Sequence, residues 1–136
     1  MKELKLVIDA NILVSAYCFG GRIQEKWKAG LGCHKLIISP EIIAEVERTL
    51  RQAEFHLESE EIRVRLKDIL DCCEVVRPKV KYQGRMPDEK DRHLVNLALE
   101  VRADRIITGD TALLTASPIA GIQVLKLRDS IKESSS

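Results

Sequence analysis

Short apolar runs along this chain alternate with longer stretches in which apolar positions recur every three or four residues. That is the pattern of buried strands interleaved with amphipathic helices. Residues 4–8 read as a strand that stops on a polar residue, and a helix is expected from Ile12. Gly20 and Gly21 break it; residues 22–31 resume a helix, with Gly30 and Gly32 marking its end. A second strand is expected over 34–39. Ser39-Pro40-Glu41 then starts a helix running to about Phe55, because serine caps free backbone N–H groups and proline is tolerated at the first helical position. Ser59-Glu60-Glu61 opens the next helix, whose Ile62, Leu66, Ile69, Leu70 and Cys73 share one face. A third strand over 74–77 and a basic, irregular stretch over 79–85 lead to the Pro87-Asp88 turn. Beyond it a helix over 89–102 buries Leu94, Leu97, Ala98 and Val101, followed by a strand over 105–108, a short helix over 111–114 and a fifth strand over 122–127.

Strands without polar alternation, separated by helices, imply a parallel sheet covered on both faces. The 136 residues, 45% hydrophobic, suffice for one domain with a real core. It is expected to span residues 1–133, with 134–136 as a frayed tail. Lys2, Glu3 and Lys5 interrupt the N-terminal apolar run, so no signal peptide is expected, and no run approaches the ~20 apolar residues of a membrane span. Cys18, Cys33, Cys72 and Cys73 lack CxxC spacing, and the vicinal pair cannot bond without strain. Each reads as a small buried apolar side chain, which fits a reducing cytoplasm. His34, His56 and His93 fall on different expected elements, which argues against structural zinc.

Lys+Arg (22) nearly balances Asp+Glu (21), so overall charge points to no class of partner and chemistry must be sought locally. In open parallel sheets, sites form beyond the carboxyl ends of strands. Asp9 ends the first strand and Asp110 follows the fourth, so pairing those strands brings both acids to one rim. Asp91 precedes Leu94 and Ala98 by three and seven residues, which turns its carboxylate toward the packed face of its helix. Glu45 borders the Ile42, Val46 and Leu50 stripe. Like charges gathered near one rim raise one another's pKa unless a cation enters. All-oxygen ligation suits Mg²⁺ or Mn²⁺, whose chemistry with phosphate oxygens is phosphodiester hydrolysis. Asn11 and Thr108 are placed to orient ligands or waters.

Each acid also has a plainer reading. Asp9 and Asp110 could cap the helices that follow them, and Asp88 is the natural cap of its helix, with Asp91 as reciprocal partner in a capping box. Glu45 could pair with Arg48 on the surface. Taken together, these readings leave unexplained why acids recur at strand ends and on buried helix faces.

At Val7-Ile8-Asp9-Ala10-Asn11-Ile12-Leu13-Val14-Ser15-Ala16, Ser39-Pro40-Glu41-Ile42-Ile43-Ala44-Glu45-Val46, Pro87-Asp88-Glu89-Lys90-Asp91, Ala98, Ala103-Asp104 and Thr108-Gly109-Asp110 with Leu113-Leu114, the chain resembles the PIN-domain superfamily. Within it, the resemblance is to the VapC-like toxin components of bacterial and archaeal toxin–antitoxin pairs. It runs nearly end to end and implies a three-layer α/β/α sandwich with a central parallel sheet, Mg²⁺- or Mn²⁺-dependent endoribonuclease activity, an antitoxin partner and homodimers. The family's acids match Asp9, Glu45, Asp91 and Asp110 one by one, and an additional upstream acid of this branch matches Asp88 as a further candidate ligand. Ala10 departs mildly from the Thr or Ser frequent before Asn11.

Candidates to hold RNA phosphates, by proximity to these motifs, are Arg22, Lys26, Lys28, Arg85, Lys90 and Arg92; otherwise each is ordinary solvated surface. With aromatic residues at only 4%, extensive base stacking is not expected. Three other readings stay open. A non-catalytic RNA- or partner-binding module predicts a degraded acidic set. A phosphotransfer domain with Asp9 as nucleophile is poorly matched by Asn11 and Thr108-Gly109-Asp110. A housekeeping RNA-processing nuclease would need no antitoxin.

Overall fold

The computed structural model describes residues 3–18 and 34–129. The expected break at Gly20-Gly21, the 22–31 helix, Cys33 and the 134–136 tail lie outside the described residues. The elements are β1 (Lys5–Ile8), α1 (Ala10–Cys18), β2 (Lys35–Ile38), α2 (Pro40–Leu50), α3 (Ser59–Cys72), β3 (Glu74–Val75), α4 (Arg92–Val101), β4 (Arg105–Ile107), α5 (Thr111–Thr115) and β5 (Gln123–Leu125). Single 3₁₀ turns lie at Ala53–Phe55 and Glu89–Asp91.

All strand pairs are parallel, in the order β3-β2-β1-β4-β5. The chain winds outward from β1 to β3 on one side, then returns to β4 on the other side of β1. The connections leaving β1 and β4 therefore diverge, and a crevice opens at the carboxyl ends of those two strands. Leu6, Val7, Ile8, Ile37, Ile38 and Ile107 are buried, as expected of strands covered on both faces. On one side α1, α2 and α3 pack on one another, while α4 packs on β1 and β4. The result is the three-layer α/β/α arrangement.

Local chemistry sets the helix boundaries. Ser39 accepts the Ile42 N–H at 3.2 Å and Pro40 begins α2, as expected. That helix stops at Leu50, not near Phe55: Ile42, Val46 and Leu50 exhaust the buried stripe, and the next positions, 53 and 54, are Ala and Glu. α1 begins at Ala10, ahead of the expected Ile12, because the Asp9 carbonyl accepts the Ile12 and Leu13 N–H groups. The helix expected from 89 opens as a 3₁₀ turn, where the Asp88 side chain accepts the Lys90 N–H and its carbonyl accepts that of Asp91. On α3, Ile62 and Ile69 are buried, but Leu70 is 45% exposed, against expectation, because it falls off the packed face. Cys72 likewise faces solvent instead of the interior, while Cys73 is half-buried. Burial, with a smaller contribution from Cys72, pushes the Cys73 thiol up to about 12, which disfavours the thiolate. Among the described residues no helix is long and apolar enough to cross a membrane.

α4 ends on Arg102 in the left-handed conformation (φ 55°), and the Ala103 N–H closes back on the Ala98 carbonyl at 2.8 Å. Glycine adopts this backbone without Cβ strain. Arg102→Gly is expected to raise stability by about 0.5–1 kcal/mol in urea denaturation, a result that strain elsewhere in the turn would not give.

Candidate functional site: an acidic cleft at the β1–β4 crevice

Parallel pairing of β1 with β4 sets Ile8 beside Ile107, which places Asp9 next to Thr108 just past the strand ends. The Thr108 hydroxyl, fully buried, donates to Asp9 Oδ2 at 2.7 Å and accepts the Asp110 N–H at 3.1 Å. Asp9 Oδ1 accepts the N–H of its neighbour Ala10 at 2.7 Å. Asp9 is thus clamped through both oxygens, and not by the side-chain cap of a later helical N–H. Asp110 does act as a cap: its Oδ1 accepts the Ala112 and Leu113 N–H groups, which orients the carboxylate at the start of α5.

Asp91 ends the 3₁₀ turn, buried, with Oδ2 lacking any hydrogen-bond partner among the described residues. No reciprocal capping bond forms between its side chain and Asp88. Burial first, then the charges of Asp9 and Asp110, push its carboxyl up to about 6, with a smaller push from Asp88 against the opposing pull of Lys90. Glu45, on α2, does not pair with Arg48 in the surface contact considered above. Its Oε1 lies 2.9 Å from Nε2 of His93 on α4. This distance allows that ring nitrogen to donate to the carboxylate in the tautomer that carries its proton there. His93 is buried, and its Nδ1 sits 3.8 Å from Glu41 Oε2.

Asp9, Glu45, Asp91 and Asp110, four acids from four segments, line one cleft of about 330 Å³ together with Asn11, Arg48, Thr49, Gln52 and Lys90. Asp88 is exposed, outside the lining, with its Oδ2 3.8 Å from Lys90 Nζ. Among the described residues no three His, Cys, Asp or Glu side chains stand close enough together to hold a metal ion on their own. The donor set nevertheless fits a hydrated divalent cation: the lining acids offer only oxygens, and one buried oxygen stands unpartnered. Mg²⁺ keeps several waters and takes few direct protein ligands.

The cationic candidates separate. Lys90 lines the cleft, and Arg48, not considered as a phosphate contact from sequence, stands beside it. Arg85 is exposed and outside the lining. Arg92 is spent on the fold: its guanidinium bonds Glu89 and the Tyr82 and Gly84 carbonyls, and lies 5.7 Å from the Tyr82 ring centre. Arg22, Lys26 and Lys28 lie outside the described residues. Sequence reasoning missed His93 because nothing local marks a histidine whose partner is on another helix. His93→Leu is expected to weaken Mn²⁺ binding about tenfold, with His93→Gln, which keeps an amide donor, falling less. Equal losses in the two variants, measured by titration of the folded proteins, would assign the histidine to packing alone.

A PIN domain family model matches residues 5–112. Among solved structures the chain is similar to VapBC2 from Rickettsia felis bound to a DNA fragment from their promoter, at 12% identity and TM-score 0.65, covering 89% of this chain and 97% of that one. It is also similar to PAE2754 from Pyrobaculum aerophilum, at 16% identity and TM-score 0.64, covering 97% and 90%. At these identities the likeness bears on the fold alone. No curated protein matches the chain. The family match runs from β1 into α5 and takes in all four cleft acids, so this chain belongs to the PIN domain family, whose members are generally nucleases.

Proposed function

We propose that the chain is an endoribonuclease dependent on Mg²⁺ or Mn²⁺ and serves as the toxin of a toxin–antitoxin pair. The observation that carries the nuclease reading is the buried, unpartnered Asp91 Oδ2 in a cleft shared with three other carboxylates. Asp9, Glu45, Asp91 and Asp110, with Asp88 as a further candidate, would hold the cation, which when bound would supply positive charge beside the phosphoryl oxygens and make a nearby water easier to ionise. Thr108 and the Ala10 N–H hold Asp9 in place, and His93 does the same for Glu45. Asp110 is oriented by its cap bonds. Asn11, on the cleft wall, is placed to orient water, and Arg48 and Lys90 to hold phosphates of the strand.

The sequence resemblance supports an antitoxin partner and pairing of two copies. Cleavage of a mixed set of structured and single-stranded RNAs with Mg²⁺, Mn²⁺ or EDTA tests the reading. Metal-dependent cutting is expected in the parent and absent from folded Asp9→Asn. Cutting by Asp9→Asn at the parent rate, or in EDTA, rules the mechanism out. RNA binding without any cleavage favours a non-catalytic binding module instead.

A further inference from the structure

The acidic cleft is not the only concavity at the carboxyl ends of these strands. A second pocket of about 400 Å³ is lined by Ile12 and Ser15 of α1, Thr108 and Gly109 after β4, and Lys126, Leu127 and Arg128 after β5. It adjoins the acids through Thr108, whose hydroxyl holds Asp9, and through Gly109, the residue before Asp110. Its volume falls in the range of small-ligand sites, and more of its surface is apolar than polar.

We propose that this pocket seats the nucleotide flanking the scissile phosphodiester of a single-stranded RNA, with its base against Ile12 and Leu127 and its phosphates on Lys126 and Arg128; the inference rests on the ribonuclease reading above. Charge carries the argument first. A polyanion crossing a rim of four carboxylates is repelled there unless cations hold it on either side. Arg48 and Lys90 line the acidic cleft itself. The sheet order puts β5 next to β4, so Lys126 and Arg128 follow the strand beside the one that leads into Asp110, and line the pocket next to the acids. Both cations are exposed, and among the described residues Arg128 pairs with Asp129 at 3.9 Å, a solvent-screened contact that competes weakly with a phosphate.

Shape carries the second part. A Cβ built on Gly109 would come only to ordinary contact with Ile12 Cδ1, at 4.0 Å, so the backbone here borders open space next to the acids. With aromatic residues scarce, an aliphatic floor is the surface available for a base. The chain therefore places an apolar recess and two cations where the strand must leave the cleft.

Binding, read separately from cleavage, tests this. Fluorescence anisotropy of labelled single-stranded RNA on the full chain in Mg²⁺, with Asp91→Asn in every protein to prevent cutting, is compared with and without Lys126→Gln/Arg128→Gln. The double variant is expected to bind about tenfold more weakly. Its log–log salt slope should fall by about 1.4, from two phosphate contacts at about 0.7 each on a single strand. An abasic position walked along the RNA is expected to weaken binding at one place in the parent. Ser15→Leu, which fills the recess without touching the cations, should abolish that position dependence. An unchanged affinity and slope in the double variant, position dependence that survives Ser15→Leu, or no measurable binding by the parent overturns the proposal. Normal binding effects without cleavage by the chain carrying Asp91 support the pocket and count against the nuclease reading alone.

Discussion

Asp91→Asn is expected to abolish metal-dependent cleavage while making the metal-free protein more stable. The side chain is buried at the end of the Glu89–Asp91 turn, one oxygen has no partner, and its carboxyl is pushed up from 3.8 to about 6. A folded-state pKa above the unfolded value means that the native state binds the proton more tightly. Stability from this group is fully present below about pH 4 and is lost as pH rises through about 6. At neutral pH the native state carries an unfavourable charge that costs about 1–2 kcal/mol, after discounting for water in the open cleft. Asparagine keeps the shape without the charge. In EDTA at pH 7 the variant should therefore unfold at higher urea than the parent, and the parent's pH dependence between 4 and 6 should flatten. Mg²⁺ or Mn²⁺ should reverse the order by stabilising the parent through binding to the native state, about 2.7 kcal/mol at a hundredfold excess over Kd. Cleavage should fall on the order of 10²–10³-fold. A variant less stable than the parent in EDTA would mean that Asp91 has a structural partner and is not a waiting ligand.

Thr108→Val should harm both fold and site. This hydroxyl donates to Asp9 and accepts from the Asp110 backbone, so it ties together the two acids that follow β1 and β4. It is fully buried, and valine of nearly the same shape leaves two polar groups without partners. The expected cost is about 1–3 kcal/mol. With Asp9 free to turn, divalent-cation affinity should drop about 10–100-fold. Thr108→Ser keeps the hydroxyl and should restore most of the affinity even if lost methyl packing leaves the fold weaker. Urea denaturation and Mn²⁺ titration of the three proteins separate the effects. If valine and serine variants bind the ion equally, the hydroxyl does not position Asp9.

Several site features were readable from local pattern because their causes are local. The Ser39-Pro40 helix start, the cap at Asp88 and the acids after two apolar strands each depend on residues a few positions apart. The same locality explains the misplacements. Nothing within one turn of Leu50 marks the end of α2 except the loss of a stripe, and Leu70 looked like core because helical spacing cannot say how wide a face its neighbours cover. Arg92 lay close in sequence to the motif acids, yet its guanidinium closes the loop beginning at Tyr82.

The sequence by itself determined the alternation of strands and helices, the parallel sheet, family membership and the acids Asp9, Glu45, Asp91 and Asp110 as a set worth testing. All of these are written in periodicity and short motifs, whose physics acts over a turn or a strand. Only the tertiary structure decided what each acid touches. Thr108 meets Asp9 across 99 residues because β1 and β4 are neighbours in one register, and His93 meets Glu45 across 48 because α4 and α2 bring them together. Such contacts depend on strand order and helix placement, which the whole core settles together and no local stretch encodes.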